Sequence, residues 1–270
     1  MKKFLAGVTA GLLMFGMIGI AGADPVYLNT WTKESYAPVN NTPGNWLLNA
    51  DGTTVSQRTN GEPTLFYSNF DMSGTVIKAK IKAASGIVDD DFFGFAIGFQ
   101  PGDATNPSAD YLLVNWKSAT QTYDFPAPST TLGTTGNPGL VVSRVTGIPT
   151  ADEFWGNTNF TADTRGGLDV LAYATNLGST GWVLGKEYDF TLDFGPNNLD
   201  VWVDGVLELS ITGAFEDGRI AFYNFSQPLV TYSIVSVEPG TYNAVPEPAT
   251  MLLFGLGLIG LAGLRRKFHK

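Results

Sequence analysis

Three consecutive carboxylates, Asp89-Asp90-Asp91, stand immediately before an almost unbroken apolar run, Phe92 to Phe99. On a regular strand Asp89 and Asp91 share a face and Asp90 opposes them. Anions this close repel one another, so either a cation or a lysine neutralises them, or they form a solvated charged loop. Hard oxygen donors of this kind suit Ca²⁺, which takes six to eight oxygens from carboxylates, carbonyls and water. Asp103, on the following loop, and Asp110, at the start of the next apolar run, are candidate additional ligands.

A second chemistry needs flat rings. Trp155 lies in the polar stretch Asp152-Glu153-Phe154-Trp155-Gly156-Asn157, where its ring could stack on a sugar and the Asn157 carboxamide could read hydroxyls. Trp202 alternates against Leu199, Val201 and Val203, which turns it outward if those three face a core. The alternative for both tryptophans is ordinary core packing. A third chemistry, glycoside hydrolysis, needs two carboxylates flanking the scissile bond. The segment Glu-x-Asp-x-x-Glu that jelly-roll glucanases use is absent. Asp189 with Asp193, and Asp200 with Asp204, read more simply as the wet faces of strands. No catalytic residue is assigned, and the expectation is a protein that is not an enzyme.

Bulk composition supports these exclusions. Cysteine is absent, and the single histidine is the penultimate residue, His269. There is thus no thiol nucleophile, no disulfide framework and no imidazole base within the body for a Ser-His-Asp triad. The formal charge of −9 argues against a nucleic-acid partner, because phosphate binding needs a cationic surface.

Both termini carry addresses. Lys2 and Lys3 precede the uncharged apolar stretch from Phe4 to Ile20, and Ala21-Gly22-Ala23 supplies small residues for a peptidase. Residues 1–23 therefore read as a secretory signal, with an uncleaved anchor as the alternative. At the other end, Pro246-Glu247-Pro248 is followed by an apolar run from Ala249 to Leu264 and then by Arg265, Arg266 and Lys267. As a helix the run would span about 24 Å, a marginal crossing of a roughly 30 Å hydrocarbon core. These three parts, in this order, resemble the PEP-CTERM sorting signal over residues 245–270. The resemblance implies processing by a membrane exosortase in a Gram-negative bacterium that makes extracellular polysaccharide. A permanent C-terminal anchor is the alternative. Six of the 16 basic residues and one of the 25 acidic ones lie in these stretches. The body between them keeps 10 basic and 24 acidic residues, a formal −14.

The elements that must position the candidate residues read as strands throughout. Thr75 to Ala83 alternates, with Lys78, Lys80 and Lys82 on one face and Ile77, Ala79 and Ile81 on the other. Phe92 to Gln100 is dense enough in aromatics to be covered on both faces. Further strands are expected at 111–116, 140–145, 168–175, 188–194, 219–225 and 229–237. Asp204-Gly205 between two apolar runs predicts a type I′ hairpin. Residues 118–138, rich in Thr, Pro, Ser and Gly, read as a long surface loop. Strands with short turns and no crossover helix imply an all-β antiparallel sandwich over residues 24–240.

Several blocks of this body, in order, resemble the thrombospondin C-terminal domain. They are Asp89-Asp90-Asp91-Phe92-Phe93-Gly94-Phe95, then Tyr111 to Lys117 ending Trp116-Lys117, then Gly181-Trp182 with Tyr188-Asp189-Phe190, and finally Gly218-Arg219-Ile220 to Ser226-Gln227. Upstream, Gln57, Asn60 and Pro63 fit the same pattern. The resemblance implies a concanavalin A-like jelly roll that binds calcium, with the Asp89–Asp91 loop as the place. The calcium-binding repeats and the cysteines of thrombospondins are missing here, so receptor roles are not implied. The expected role is an exported cell-surface or matrix protein with a calcium-binding, lectin-like domain that binds exopolysaccharide. The alternatives are a glucanase-type glycoside hydrolase and a purely structural matrix component.

Overall fold

The computed structural model describes residues 26–36, 42–126, 133–159 and 166–240. The signal sequence, Pro246-Glu247-Pro248 and Arg265-Arg266 lie outside the described residues. In chain order the elements are β1 (Thr32–Ser35), β2 (Trp46–Leu48), β3 (Thr54–Gln57), β4 (Thr64–Asp71), β5 (Thr75–Ala83), β6 (Phe92–Phe99), β7 (Asp110–Lys117), β8 (Gln121–Tyr123), β9 (Thr134–Gly136) and β10 (Gly139–Gly147). There follow helix α1 (Ala151–Gly156), β11 (Gly166–Tyr173), β12 (Glu187–Gly195), β13 (Asn198–Val203), β14 (Val206–Thr212), β15 (Arg219–Phe225) and β16 (Val230–Pro239).

Two seven-stranded sheets pack face to face. Their orders are β1-β4-β15-β6-β7-β10-β11 and β14-β13-β12-β5-β16-β3-β2, and β8 pairs with β9 separately. The pairings are antiparallel, as in β6 with β7 and β12 with β5. The fold is an antiparallel jelly-roll sandwich.

The alternation seen in the sequence explains the layering. Ile77, Ala79 and Ile81 of β5 meet Phe93, Phe95 and Ile97 of β6 in the core between the sheets. On the outer side of β5, Lys78 pairs with Glu238 at 3.0 Å, and Lys80 bonds Glu187 and Asp189 at 2.9 Å each. The first sheet buries its other face as well. Phe92, Phe99, Tyr111, Tyr223 and Phe225 form a second core with Phe125, Phe154 and Trp155. That is why β6 is apolar at successive positions: all eight residues are buried, with Phe93, Phe95 and Ile97 in one core and Phe92, Ala96 and Phe99 in the other. Gly94 is required by close approach, since a Cβ there would lie 1.9 Å from the Val114 carbonyl oxygen. The hairpin turn has positive φ at Asp204 (50°) and Gly205 (80°), as its type I′ sequence predicts.

Three expectations are corrected. The body does contain a helix, α1, where only strands and turns are expected from the sequence. Thr150 and Glu153 form a reciprocal capping box, and Asn157 closes the helix in the left-handed conformation. The stretch 118–138 includes the hairpin β8–β9, joined by the 2.7 Å Thr122–Thr135 hydroxyl contact. Strands β1 to β4 also precede the first strand expected from the sequence.

Candidate cation site and adjoining cavity

Asp89, Asp90 and Asp91 lie where the chain enters β6, and one carboxylate oxygen of each falls within 4.8 Å of the others. Their burial is graded: Asp91 is 2% exposed, whereas Asp89 and Asp90 are only half-buried. The main chain of Asp91 is fixed from two sides. Its N–H donates to Gln227 Oε1 at 2.8 Å, and its carbonyl accepts from Trp182 Nε1 at 2.9 Å. The Asp90 carbonyl accepts from the Ser118 N–H at 3.0 Å.

The sequence left open whether a cation or a lysine neutralises this loop, and the structure supplies a lysine. Lys117, the last residue of β7, is fully buried, and its Nζ lies 2.6 Å from Asp91 Oδ1 and 3.4 Å from Asp90 Oδ1. The ammonium sits 4.3 Å from the Trp155 ring centroid and 5.1 Å from that of Phe92. Among the described residues Asp89 makes no such ion pair. It accepts from Asn60 Nδ2 at 3.0 Å and from the Asp90 N–H at 3.1 Å. Burial, with the neighbouring Asp91 carboxylate and the hydrogen bond the two share, pushes Asp89 up to about 7.

Beside the loop is a cavity of about 320 Å³ lined by Asp89, Asp91, Asn60, Gln121, Ser226 and the rings of Tyr123, Phe125, Trp155 and Phe225. Trp155 is 2% exposed, so it forms a wall of this cavity rather than a free stacking platform. Its Nε1 donates to the Gln121 carbonyl at 3.0 Å, and it meets Phe92, Phe125 and Phe225 edge-on. The exposed ring is Tyr123, 43% accessible and 4.6 Å from Phe125. Asn157 turns away to its role as the α1 cap, where its Oδ1 accepts from buried Asn115 Nδ2 at 2.6 Å. Trp202 is half-buried on the outer face of β13, on the opposite side of the sandwich from Trp155.

Asp103 and Asp110 do not join the cluster. They lie past the other end of β6, eight residues or about 25 Å away at roughly 3.3 Å per residue. Asp103 is buried and accepts from the Gln100 N–H and Asn106 Nδ2, closing its own turn. Asp110 holds Arg144 through two bonds, to Nε at 2.7 Å and to an Nη at 2.5 Å. Each therefore has a local partner that consumes its charge or lone pairs. Asp189 and Asp204 likewise pair with Lys80 and Lys186 on the surface.

Residues quoted for the family resemblance converge on this one loop. Asn60 donates to Asp89, Lys117 and Trp182 donate to Asp91, and Gln227 accepts from Asp91, whereas Gln57 donates to Asn224 Oδ1 of β15. Gly181 belongs here because a Cβ would lie 1.7 Å from the Ser118 carbonyl oxygen, beside the strand end that carries Lys117. Lys117 was not among the site residues read from the sequence. Its signal was a lone lysine closing the apolar strand Tyr111 to Trp116.

The thrombospondin C-terminal region family matches residues 41–239, and the PEP-CTERM protein-sorting motif matches residues 244–267. The chain belongs to the thrombospondin C-terminal family and carries a PEP-CTERM sorting motif, the mark of an exported, membrane-anchored precursor. Thrombospondin-2 of Bos taurus is 27% identical over 202 residues, covering 72% of this chain and 16% of that protein. Thrombospondin-2 of Mus musculus is 28% identical with the same coverage. The chain thus spans about a sixth of the length of these relatives. Among solved structures, a family 66 carbohydrate-binding module from Bacillus subtilis aligns with a TM-score of 0.46 at 14% identity, covering 77% of this chain and 97% of that one. A family 16 glycoside hydrolase of Bacteroides ovatus aligns with a TM-score of 0.42 at 12% identity, covering 77% and 93%. Among the described residues no helix is long and apolar enough to cross a membrane, and the apolar run of the sorting motif lies outside them.

Proposed function

We propose that this chain is an exported, non-enzymatic binding module that takes Ca²⁺ at the Asp89–Asp91 loop and a carbohydrate in the cavity beside it. The observation that carries the reading is the juxtaposition of three clustered carboxylates with a 320 Å³ cavity walled by aromatic rings and carboxamides. Asp89 and Asp90 are half-buried hard-oxygen donors, with Asp89 held against Asp91 at an electrostatic cost that a cation removes. Calcium there would screen that repulsion and fix the cavity wall. Tyr123 offers a stacking face, and Asn60 and Gln121 offer hydrogen bonds to hydroxyls.

A hydrolase is disfavoured by distance. One carboxylate oxygen of Asp89 lies within 4.8 Å of one of Asp91, below the about 5–5.5 Å that retaining glycosidases use and the about 6.5–9.5 Å of inverting ones. Asp91 is also held by Lys117.

The topology adds an orientation. β16 begins at Val230 opposite Ala83, near the cavity, and ends at Pro239 opposite Thr75. Gly240 then bonds the Gly74 carbonyl at 2.7 Å. The nine-residue β5 puts about 30 Å between these ends at roughly 3.3 Å per residue. The sorting motif therefore follows the end remote from the cavity. A molecule held by that motif, at the membrane or on a surface polymer, presents its cavity outward to extracellular polysaccharide. An exosortase-type enzyme and the host polysaccharide are the partners this reading names.

The test is a pull-down of the mature protein with the host's polysaccharide, in calcium and in EGTA, beside Tyr123→Ala. Calcium-dependent retention that Tyr123→Ala weakens is expected. Equal retention by both proteins, or none with the protein folded, contradicts the carbohydrate reading.

A further inference from the structure

We propose that Lys117 is the resident cation of the Asp89–Asp91 loop: its ammonium permanently satisfies Asp91, so a divalent ion is drawn by Asp89 and Asp90 and the loop keeps its fold without one. The part concerning the divalent ion rests on the calcium reading above; the part concerning the fold does not.

An ammonium has three protons to place. Here they face Asp91 Oδ1 at 2.6 Å, the Asp90 carbonyl at 3.3 Å and Asp90 Oδ1 at 3.4 Å. The short contact goes to the most buried of the three carboxylates, and the long ones go to Asp90, whose side chain is 41% exposed. With Lys117 fully buried, neither it nor Asp91 has a water-exposed alternative. The Lys117 stem is fixed too, because Nζ lies over Trp155 and Phe92. Asp91, bonded through its N–H, its carbonyl and its carboxylate, is therefore a structural post. Asp89 and Asp90 are the carboxylates left partly exposed. The ammonium also makes the loop one charge less negative, so Lys117 weakens the attraction for an incoming cation. It sets the site to a lower affinity in exchange for a fold that does not depend on metal.

The experiment compares the mature protein with Lys117→Met, which keeps an unbranched stem over Trp155, and with Lys117→Met/Asp91→Asn. Metal-free melting in EGTA is the first arm. Lys117→Met melts lower than the parent because Asp91 is left charged and unpaired, and adding Asp91→Asn recovers part of the loss. No recovery in the double variant overturns the resident-cation role, and this arm decides the matter even if calcium binds neither protein. If Lys117→Met does not fold in EGTA, folding of the double variant supports the proposal and its failure to fold overturns it. Calcium titration by calorimetry is the second arm. Removing the like charge tightens binding by about tenfold or more, and the calcium-induced rise in melting temperature grows. Binding to Lys117→Met that is no tighter than to the parent overturns the affinity claim. Binding to neither overturns the calcium reading alone.

Discussion

Replacing Trp182 by Phe isolates one bond that holds the acidic loop. Trp182 is 2% exposed, its Nε1 donates to the Asp91 carbonyl at 2.9 Å, and its ring lies 5.1 Å from that of Phe93. Phenylalanine keeps the ring contact but strands the Asp91 carbonyl in a buried site. Leaving such a group unpaired costs about 1–3 kcal/mol. The smaller ring leaves space worth about 1 kcal/mol more. The sum is about 2–4 kcal/mol. For a domain near 200 residues, each kcal/mol moves Tm by about 2–4 °C, so the expected fall is about 4–16 °C. Urea unfolding in EGTA measures it directly, with an unchanged m-value confirming that the native state is retained. Trp202→Phe, on the outer face of β13, is the control and costs under about 0.5 kcal/mol. If Trp182→Phe costs no more than Trp202→Phe, the Asp91 carbonyl is not anchored as described.

Three further outcomes are expected. Asp89 sits at about 7 rather than its ordinary 3.8, so the native state binds the extra proton between those values. Its contribution to stability is full below about pH 4 and is lost as pH rises toward 7. In calcium-free buffer the parent therefore gains stability from pH 8 to pH 5 relative to Asp89→Asn, and parallel urea midpoints for the two proteins would refute this. Gly181→Ala drives a Cβ to within 1.7 Å of the Ser118 carbonyl oxygen and should destabilise by about 1–3 kcal/mol or more, read by thermal melting. Asp103→Asn and Asp110→Asn, remote from the cluster, should leave calcium affinity unchanged within error in a calorimetric titration.

The sheet framework was legible wherever one face meets water. Lys78, Lys80 and Lys82 alternate against Ile77, Ala79 and Ile81, and β5 has the bounds that this pattern predicts. The aromatic run of β6 was legible as a doubly covered strand because both of its faces meet apolar layers. Helix α1 was missed although Thr150 and Glu153 spell a capping box, because six residues are too few for a 3.6-residue period to register. The Asp89–Asp91 loop was visible as clustered charge. Its counter-ion was not, because Lys117 is 26 residues away and meets Asp91 only through antiparallel pairing of β6 with β7. Asp103 and Asp110 looked like added ligands because sequence proximity hides the length of β6 between them and the cluster. Trp155 looked exposed because its neighbours are polar, yet α1 turns it inward onto the second core.

The proposed cation site at the Asp89–Asp91 loop, beside the cavity, can be tested on the protein itself. Isothermal calorimetry of the mature protein with Ca²⁺, against Asp89→Asn/Asp90→Asn, tests it most directly. Saturable binding in the parent, with a matching rise in Tm, and loss of both in the variant are expected. Absence of binding to the folded parent, or undiminished binding to the variant, would contradict it.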